Sequence, residues 1–314
     1  MVDNMSKTAL FFPGQASQYV GMGRDLYDTS AEVRRMYELV SDLLETDIAK
    51  LSFEGPADEL KRTKFTQPAI MLHSLAALTV LGEDRPKFDY AAGHSLGEYA
   101  ALAVTGALTF DIALKAVVRR AALMEEACVQ NPGTMAAVMG MSEEQVEKVC
   151  RDASSAGVVV PANFNSANQI VISGSLAGVE QACTLAKQAG AKRAMLLEVG
   201  GAFHSPLMSP ARDGLKEFLR DTPIAAPVTP VIANVTGQPV RNGEDIRTLL
   251  VDQVTAPVRW AQTMKTLADL GVTKVIEIGP GKVLTGMAKR EMNPSEIVNL
   301  ETLADIRSLA TVGA

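Results

Sequence analysis

The chain has 314 residues, 47% hydrophobic and 21% charged, and its 30 Lys plus Arg against 36 Asp plus Glu leave a formal charge of −6. With 24 Gly and 15 Pro it is neither collagenous nor wholly disordered, and a chain of this size buries roughly three quarters of its unfolded surface. The acidic balance speaks against a protein that binds nucleic acid by general phosphate neutralisation, and Cys128, Cys150 and Cys183, without a CxxC pattern, suit a reducing compartment.

Thr8 to Phe12 reads as a short buried strand stopped by Pro13-Gly14, a central strand with a loop at its carboxyl end. Helical patterns follow over Ala31 to Leu44 and over an Ala/Leu-rich run ending at Leu81, the second with Thr66 as its expected cap and Pro68 in its first turn. No charged leader opens the chain, and no uncharged apolar run reaches the roughly 18 residues of a membrane span. A soluble, cytoplasmic protein with no membrane partner is therefore expected.

Phe88 to Ala92 is a second strand, broken at Gly93-His94-Ser95-Leu96-Gly97, after which Glu98 to Val104 and Asp111 to Cys128 are helical. Between 132 and 199 the rhythm becomes βαββαβ. Strands are expected at Met135–Met139, Val158–Asn163, Ile170–Ser173 and Arg193–Leu197, and helices at Ser142–Ala153, with a Ser142/Gln145 capping box, and Leu176–Ala189. This is the order of a ferredoxin-like unit, here inserted into a larger α/β domain made of 1–131 and 200–314 with a mostly parallel sheet.

Beyond it, Val228–Asn234 and Lys274–Ile278 read as strands, and Glu244–Val254 and Trp260–Leu270 as helices. Gly279-Pro280-Gly281 is a stop, and the last dozen residues read as a frayed tail.

The pattern GxSxG with a strand before and a helix after is a nucleophile elbow, in which Ser95 projects its hydroxyl beside the backbone N–H groups of a helix start. Serine at neutral pH needs a base. His73 lies within an apolar helix, His94 adjoins Ser95 but diverges from it at the turn, and His204 occupies an irregular segment able to face a cleft. No acid is assigned by spacing. A backbone carbonyl suffices to orient an imidazole, so the residues permit a Ser-His dyad. No HxxxH or carboxylate cluster points to a metal.

Phe11-Phe12-Pro13-Gly14-Gln15-Ala16-Ser17-Gln18, Gly93 to Tyr99, Gly201 to Ser205, Gln253 to Trp260 and Gly279 to Gly281 together resemble malonyl-CoA:acyl carrier protein transacylases, in family order and over nearly the whole chain. The length resembles the free-standing enzyme rather than a synthase domain. The resemblance implies a hydrolase-like larger domain, a ferredoxin-like smaller one, and a cleft between them for the acyl group. It implies Ser95 as the acylated residue, His204 as base and then acid, and Gln15 and Leu96 as backbone donors of an oxyanion hole. Gln253 would lend the carbonyl that orients His204. Arg120 would hold the malonyl carboxylate while Arg119, about 100° around the helix, faces elsewhere. His94 and Phe203 would line the pocket, with Phe203 narrowing it at the malonyl α-carbon.

Malonyl-CoA and acyl carrier protein are the implied partners, with no resident cofactor. Gly200-Gly201 departs from the Ser-Gly of many relatives and would loosen His204. Against a transferase stand a serine hydrolase, which GxSxG fits equally, and a silent carrier-binding module, against which the pairing of Ser95 with His204 counts.

Overall fold

The computed structural model of the chain describes residues 6–312. Its strands are β1 (Lys7–Phe12), β2 (Tyr90–Gly93), β3 (Thr134–Met139), β4 (Val159–Ser166), β5 (Gln169–Gly174), β6 (Arg193–Leu196), β7 (Val231–Ile232), β8 (Pro239–Val240), β9 (Val272–Ile278) and β10 (Glu296–Leu300). They form a six-stranded sheet in the order β10-β9-β1-β2-β7-β8 and a four-stranded sheet in the order β4-β5-β3-β6. In the larger sheet β1 lies at the centre, parallel to β2 and β9, and only β7 with β8 is antiparallel. Residues 9–12 of β1 are fully buried because helices cover both faces, which is why the strand is an unbroken apolar run.

All pairings of the smaller sheet are antiparallel, and its strand order is that of a ferredoxin-like unit. Helices Glu143–Ala153 and Leu176–Gln188 cover one face, and Ser142 and Gln145 form the capping box with both reciprocal bonds made. The smaller sheet has its own apolar cluster, including Val138, Val146, Ile172 and Val179. A parallel bridge joins Asn163 of β4 to Val258, in the segment just before helix Trp260–Asp269.

Three expectations need correction. The helix Thr63–Leu81 starts before Thr66, which is buried inside it with an unpaired hydroxyl, and Pro68 lies within the helix. Its start is set by Glu125 of the facing helix Phe110–Gln130, which accepts from the Lys64 N–H at 2.9 Å and from Arg62 at 2.7 Å. The strand expected from Val228 shrinks to Val231–Ile232, because Pro230 has no N–H for the ladder and Val228 is exposed. The end of the chain is not frayed where described: β10 pairs with β9, and helix Leu303–Val312 follows. That helix opens on a Thr302/Asp305 box, with Thr302 N–H bonded to Asp305 at 2.8 Å and Asp305 N–H to Thr302 Oγ1 at 3.2 Å.

The helical stretch Thr63–Asp84 is long and apolar enough to cross a membrane by length and composition, but 83% of its apolar window is buried inside the protein. Packing accounts for its apolarity.

Candidate active site

β2 runs into the helix Gly97–Val104 through a turn that only glycine permits at two points. A Cβ on Gly93 would lie 2.0 Å from the Gly97 carbonyl, and one on Gly97 would lie 2.2 Å from the Phe12 oxygen. Between them Ser95 takes a left-handed φ of 51°, a sparsely populated conformation for a side-chain-bearing residue. Asn234, just after β7, holds the turn from outside. Its Oδ1 accepts from the Ser95 N–H at 2.7 Å and its Nδ2 donates to the Gly93 carbonyl at 2.7 Å.

His204 also has a left-handed φ, 57°, and is 3% exposed. Its Nε2 lies 2.9 Å from Ser95 Oγ, and its Nδ1 lies 2.8 Å from the main-chain carbonyl of Gln253. The proton positions follow from chemistry. A carbonyl can only accept, so Nδ1 carries the hydrogen and Nε2 keeps its lone pair. Burial, and next the nearby Arg120 charge, lower the imidazole pKa to about 3, so the ring is neutral at physiological pH. A Cβ on Gly201 would lie 2.1 Å from Cys128 Sγ, so the loop is closely packed there, whereas one on Gly200, the position that departs from many relatives, would meet Thr63 Oγ1 at 3.8 Å.

Arg120 enters from helix Phe110–Gln130 and is 1% exposed, while Arg119 faces solvent. Its guanidinium donates to Gln67 Oε1 at 2.5 Å, to Ser95 Oγ at 2.9 Å and to Gln253 Oε1 at 3.0 Å. Since the guanidinium can only donate, the Ser95 hydroxyl accepts from it and turns its own hydrogen to His204 Nε2. Arg120 Nε has no partner among the described residues. Gln253 is fully buried, and its Nε2 donates to Glu98 Oε2 at 2.7 Å and to the Ser95 carbonyl at 3.1 Å.

Ser95, His204 and Gln67 open on a cavity of about 270 Å³, and Arg120 and Gln253 stand behind its wall, reaching it through Ser95. The larger sheet contributes the loop from Pro13 to Ser17, the elbow and His204; the smaller contributes Met135, Asn163 and Asn165. Gln15 and Leu96 both line it, and neither backbone N–H has an acceptor among the described residues. His94 diverges from Ser95 and pairs through Nε2 with Asn165 Oδ1 at 2.9 Å; burial lowers its pKa. Phe203 is on the cavity wall beside His204. Trp260 is fully buried core, with its ring centroid 5.0 Å from that of Phe11. Among the described residues no group of three or more His, Cys, Asp or Glu could hold a metal ion.

The acyl transferase domain family matches residues 10–313. A Bacillus subtilis malonyl CoA-acyl carrier protein transacylase is 45% identical over 287 residues, covering 91% of this chain and 90% of that protein. The chain belongs to the malonyl-CoA:acyl carrier protein transacylase family. Among solved structures, an acyl-carrier-protein S-malonyltransferase from Bartonella henselae superposes with a TM-score of 0.92 at 40% identity, covering 98% of this chain and all of that one. A malonyl-transacylase in complex with its type II PKS acyl-carrier protein matches with a TM-score of 0.92 at 38% identity, covering 98% of this chain and 100% of that chain.

In this transacylase-family chain, Ser95, His204, Arg120 and Gln253 form one hydrogen-bonded group, and Gln15, Leu96, His94 and Phe203 surround the same cavity. Sequence reading missed Gln67, Glu98 and Asn234. Glu98 carried a signal: a carboxylate three residues after the nucleophile, in an otherwise apolar helix, is costly to bury without partners. Asn234 carried none, because its role depends on where β7 ends relative to β2.

Proposed function

We propose that Ser95 is the acylated nucleophile, with His204 its base and acid, Gln15 and Leu96 N–H the oxyanion donors, the Gln253 carbonyl the orienting acceptor, and Arg120 the clamp for the malonyl carboxylate. The enzyme transfers malonyl from malonyl-CoA to the phosphopantetheine thiol of acyl carrier protein through a malonyl-serine ester, supplying units for fatty-acid or polyketide assembly. One observation carries the reading: Ser95 Oγ stands 2.9 Å from both His204 Nε2 and Arg120 Nη2.

Ser95 Oγ attacks the thioester carbonyl while its proton passes to His204 Nε2. The carbonyl oxygen becomes an oxyanion within reach of the two free N–H groups, each worth about 3 kcal/mol in such sites. Collapse breaks the C–S bond, and His204 returns the proton to the departing CoA sulfur. The carrier thiol then gives its proton to His204 and attacks the ester, and Ser95 recovers the proton as it leaves. CoA is thus a substrate and phosphopantetheine arrives on the acceptor; neither is a resident cofactor.

Arg120 has two states in this cycle. In one it donates to Ser95 Oγ; with malonyl bound its planar fork turns to the carboxylate and frees the nucleophile. The same carboxylate neutralises the charge that, after burial, most depresses His204, so the correct substrate strengthens the base that acts on it. His94 and Phe203 complete the pocket wall.

Residues 132–199 form, on this reading, a smaller domain inserted between 1–131 and 200–314. In support, its strands pair with one another, apart from the Asn163–Val258 bridge among the described residues. The cytoplasm, where both partners would be met, is the proposed location.

Intact-mass measurement over time tests the function. Ser95 should gain a malonyl adduct from malonyl-CoA and pass it faster to a carrier thiol than to water; hydrolysis prevailing at saturating carrier would instead assign a hydrolase.

A further inference from the structure

Arg120 is a buried cation, and its three hydrogen-bond acceptors, Gln67, Ser95 and Gln253, are all neutral. The first carboxylate along its hydrogen-bond chain is Glu98, one amide away and 2% exposed. Glu98 Oε2 accepts from Gln253 Nε2 at 2.7 Å and from the Asn234 N–H at 3.1 Å. From the first partner the chain runs to Arg120 Nη2, 3.0 Å from Gln253 Oε1, and the Gln253 main chain holds His204 at 2.8 Å. From the second it runs to Ser95, whose N–H meets Asn234 Oδ1 at 2.7 Å.

We propose that Glu98 is a positioning residue for malonyl transfer, acting on the clamp and the proton-transfer pair through Gln253 and on the nucleophile turn through Asn234. The inference rests on the roles given above to Ser95, His204 and Arg120.

The physical reason is amide polarity. A glutamine side chain between a guanidinium and a carboxylate has one good orientation, oxygen to the cation and NH2 to the anion. The reverse orientation sets donor against donor and acceptor against acceptor, in a site too dry to screen either. Glu98 therefore holds Gln253 Oε1 on Arg120, which keeps the guanidinium beside Ser95 Oγ and supports it from behind when a carboxylate arrives. A helix acid that merely filled space would not need two donors on one oxygen from two different segments, each of which touches the reacting groups.

The branches give different signatures. Rapid-quench acylation of Ser95 with malonyl-CoA and acetyl-CoA, with thermal melts in parallel, separates them. Glu98→Gln keeps the shape but offers Gln253 an NH2 as well as an oxygen, so the Gln253 amide is no longer held in one orientation. Malonyl acylation should slow about 10- to 100-fold, with KM changed less than about threefold and the malonyl-to-acetyl rate ratio lowered. Gln253→Met keeps the carbonyl on His204 and should lower the ratio as well, whereas Asn234→Ala should slow both donors alike.

A Glu98→Gln protein with wild-type rates and ratio, or one that loses only melting temperature, overturns the inference. Should Glu98→Gln not fold, an unchanged ratio in Gln253→Met overturns it equally. A wild-type adduct at a residue other than Ser95 would defeat the underlying mechanism; an adduct at Ser95 with indifferent variants would defeat this inference alone.

Discussion

Two parallel strands of the larger sheet end in a glycine turn followed by a helix, and they use a buried glutamate in opposite ways. At the end of β9, Glu277 accepts from the Leu284 and Thr285 N–H groups at 3.1 and 2.7 Å and from the Thr285 hydroxyl at 2.8 Å. The carboxylate occupies the start of helix Val283–Glu291, so that helix has little left to offer an anion. At the end of β2, Glu98 lies in the first turn of its helix but its carboxyl is held by Gln253 and Asn234, and the N–H of Leu96, which lines the cavity, has no acceptor among the described residues. A helix start becomes a site for developing negative charge only where no side chain has already taken its donors.

Ser95→Ala should abolish the malonyl-enzyme adduct seen by intact mass and cut transfer by about 10⁴-fold or more; a surviving adduct would remove the elbow from the chemistry. Arg120→Ala should slow malonyl transfer about 100-fold, the cost of a lost charge-assisted fork, and acetyl transfer far less, measured as separate kcat/KM values. Equal losses would make the buried guanidinium structural.

On the other turn, Glu277→Gln should cost about 1–3 kcal/mol of stability in denaturant melts, while transfer well below the melting point stays near wild type. If transfer collapsed while stability held, the two turns would not differ as described.

Acid dependence is the finest test. Burial lowers the pKa values of His73, His94 and His204, the last to about 3 from 6.5. Their neutral forms are favoured on folding, so stability from this source is complete above the unfolded value of 6.5 and is lost as pH falls toward 3. Glu98, raised by burial from 4.5 to about 7, acts with the opposite sign: its contribution is complete below 4.5 and is lost as pH rises through about 7. His204→Gln should therefore flatten the fall in melting temperature between pH 6.5 and 4, and Glu98→Gln should steepen it. A reversed pair of slopes would contradict the burial of these groups.

Local signals were legible wherever the structure-forming interaction lies within a few residues. Ser142 and Gln145 announce their helix because both halves of the box are in the sequence, and the Thr302/Asp305 box would have revealed the last helix in the same way. Gly93 and Gly97 mark a turn that needs them for steric reasons. The start of Thr63–Leu81 was hidden because its cap comes from Glu125, 61 residues away from the Lys64 N–H it accepts. The role of Asn234 was hidden for a like reason, since the bond to Ser95 spans 139 residues.

By its own pattern the chain specifies alternating buried strands and amphipathic helices, a βαββαβ run and a serine on a tight glycine turn, because spacing and sterics act between near neighbours. The family resemblance carried His204, Arg120 and Gln253. Tertiary structure alone decided that Gln253 uses its main chain on His204 and its side chain on Arg120 and Glu98, so that the buried Glu98 is connected through hydrogen bonds to Arg120, His204 and Ser95. That outcome depends on the relative placement of strand ends and helices far apart in sequence, where hydrogen-bond direction and burial, rather than residue type, determine what each polar atom does.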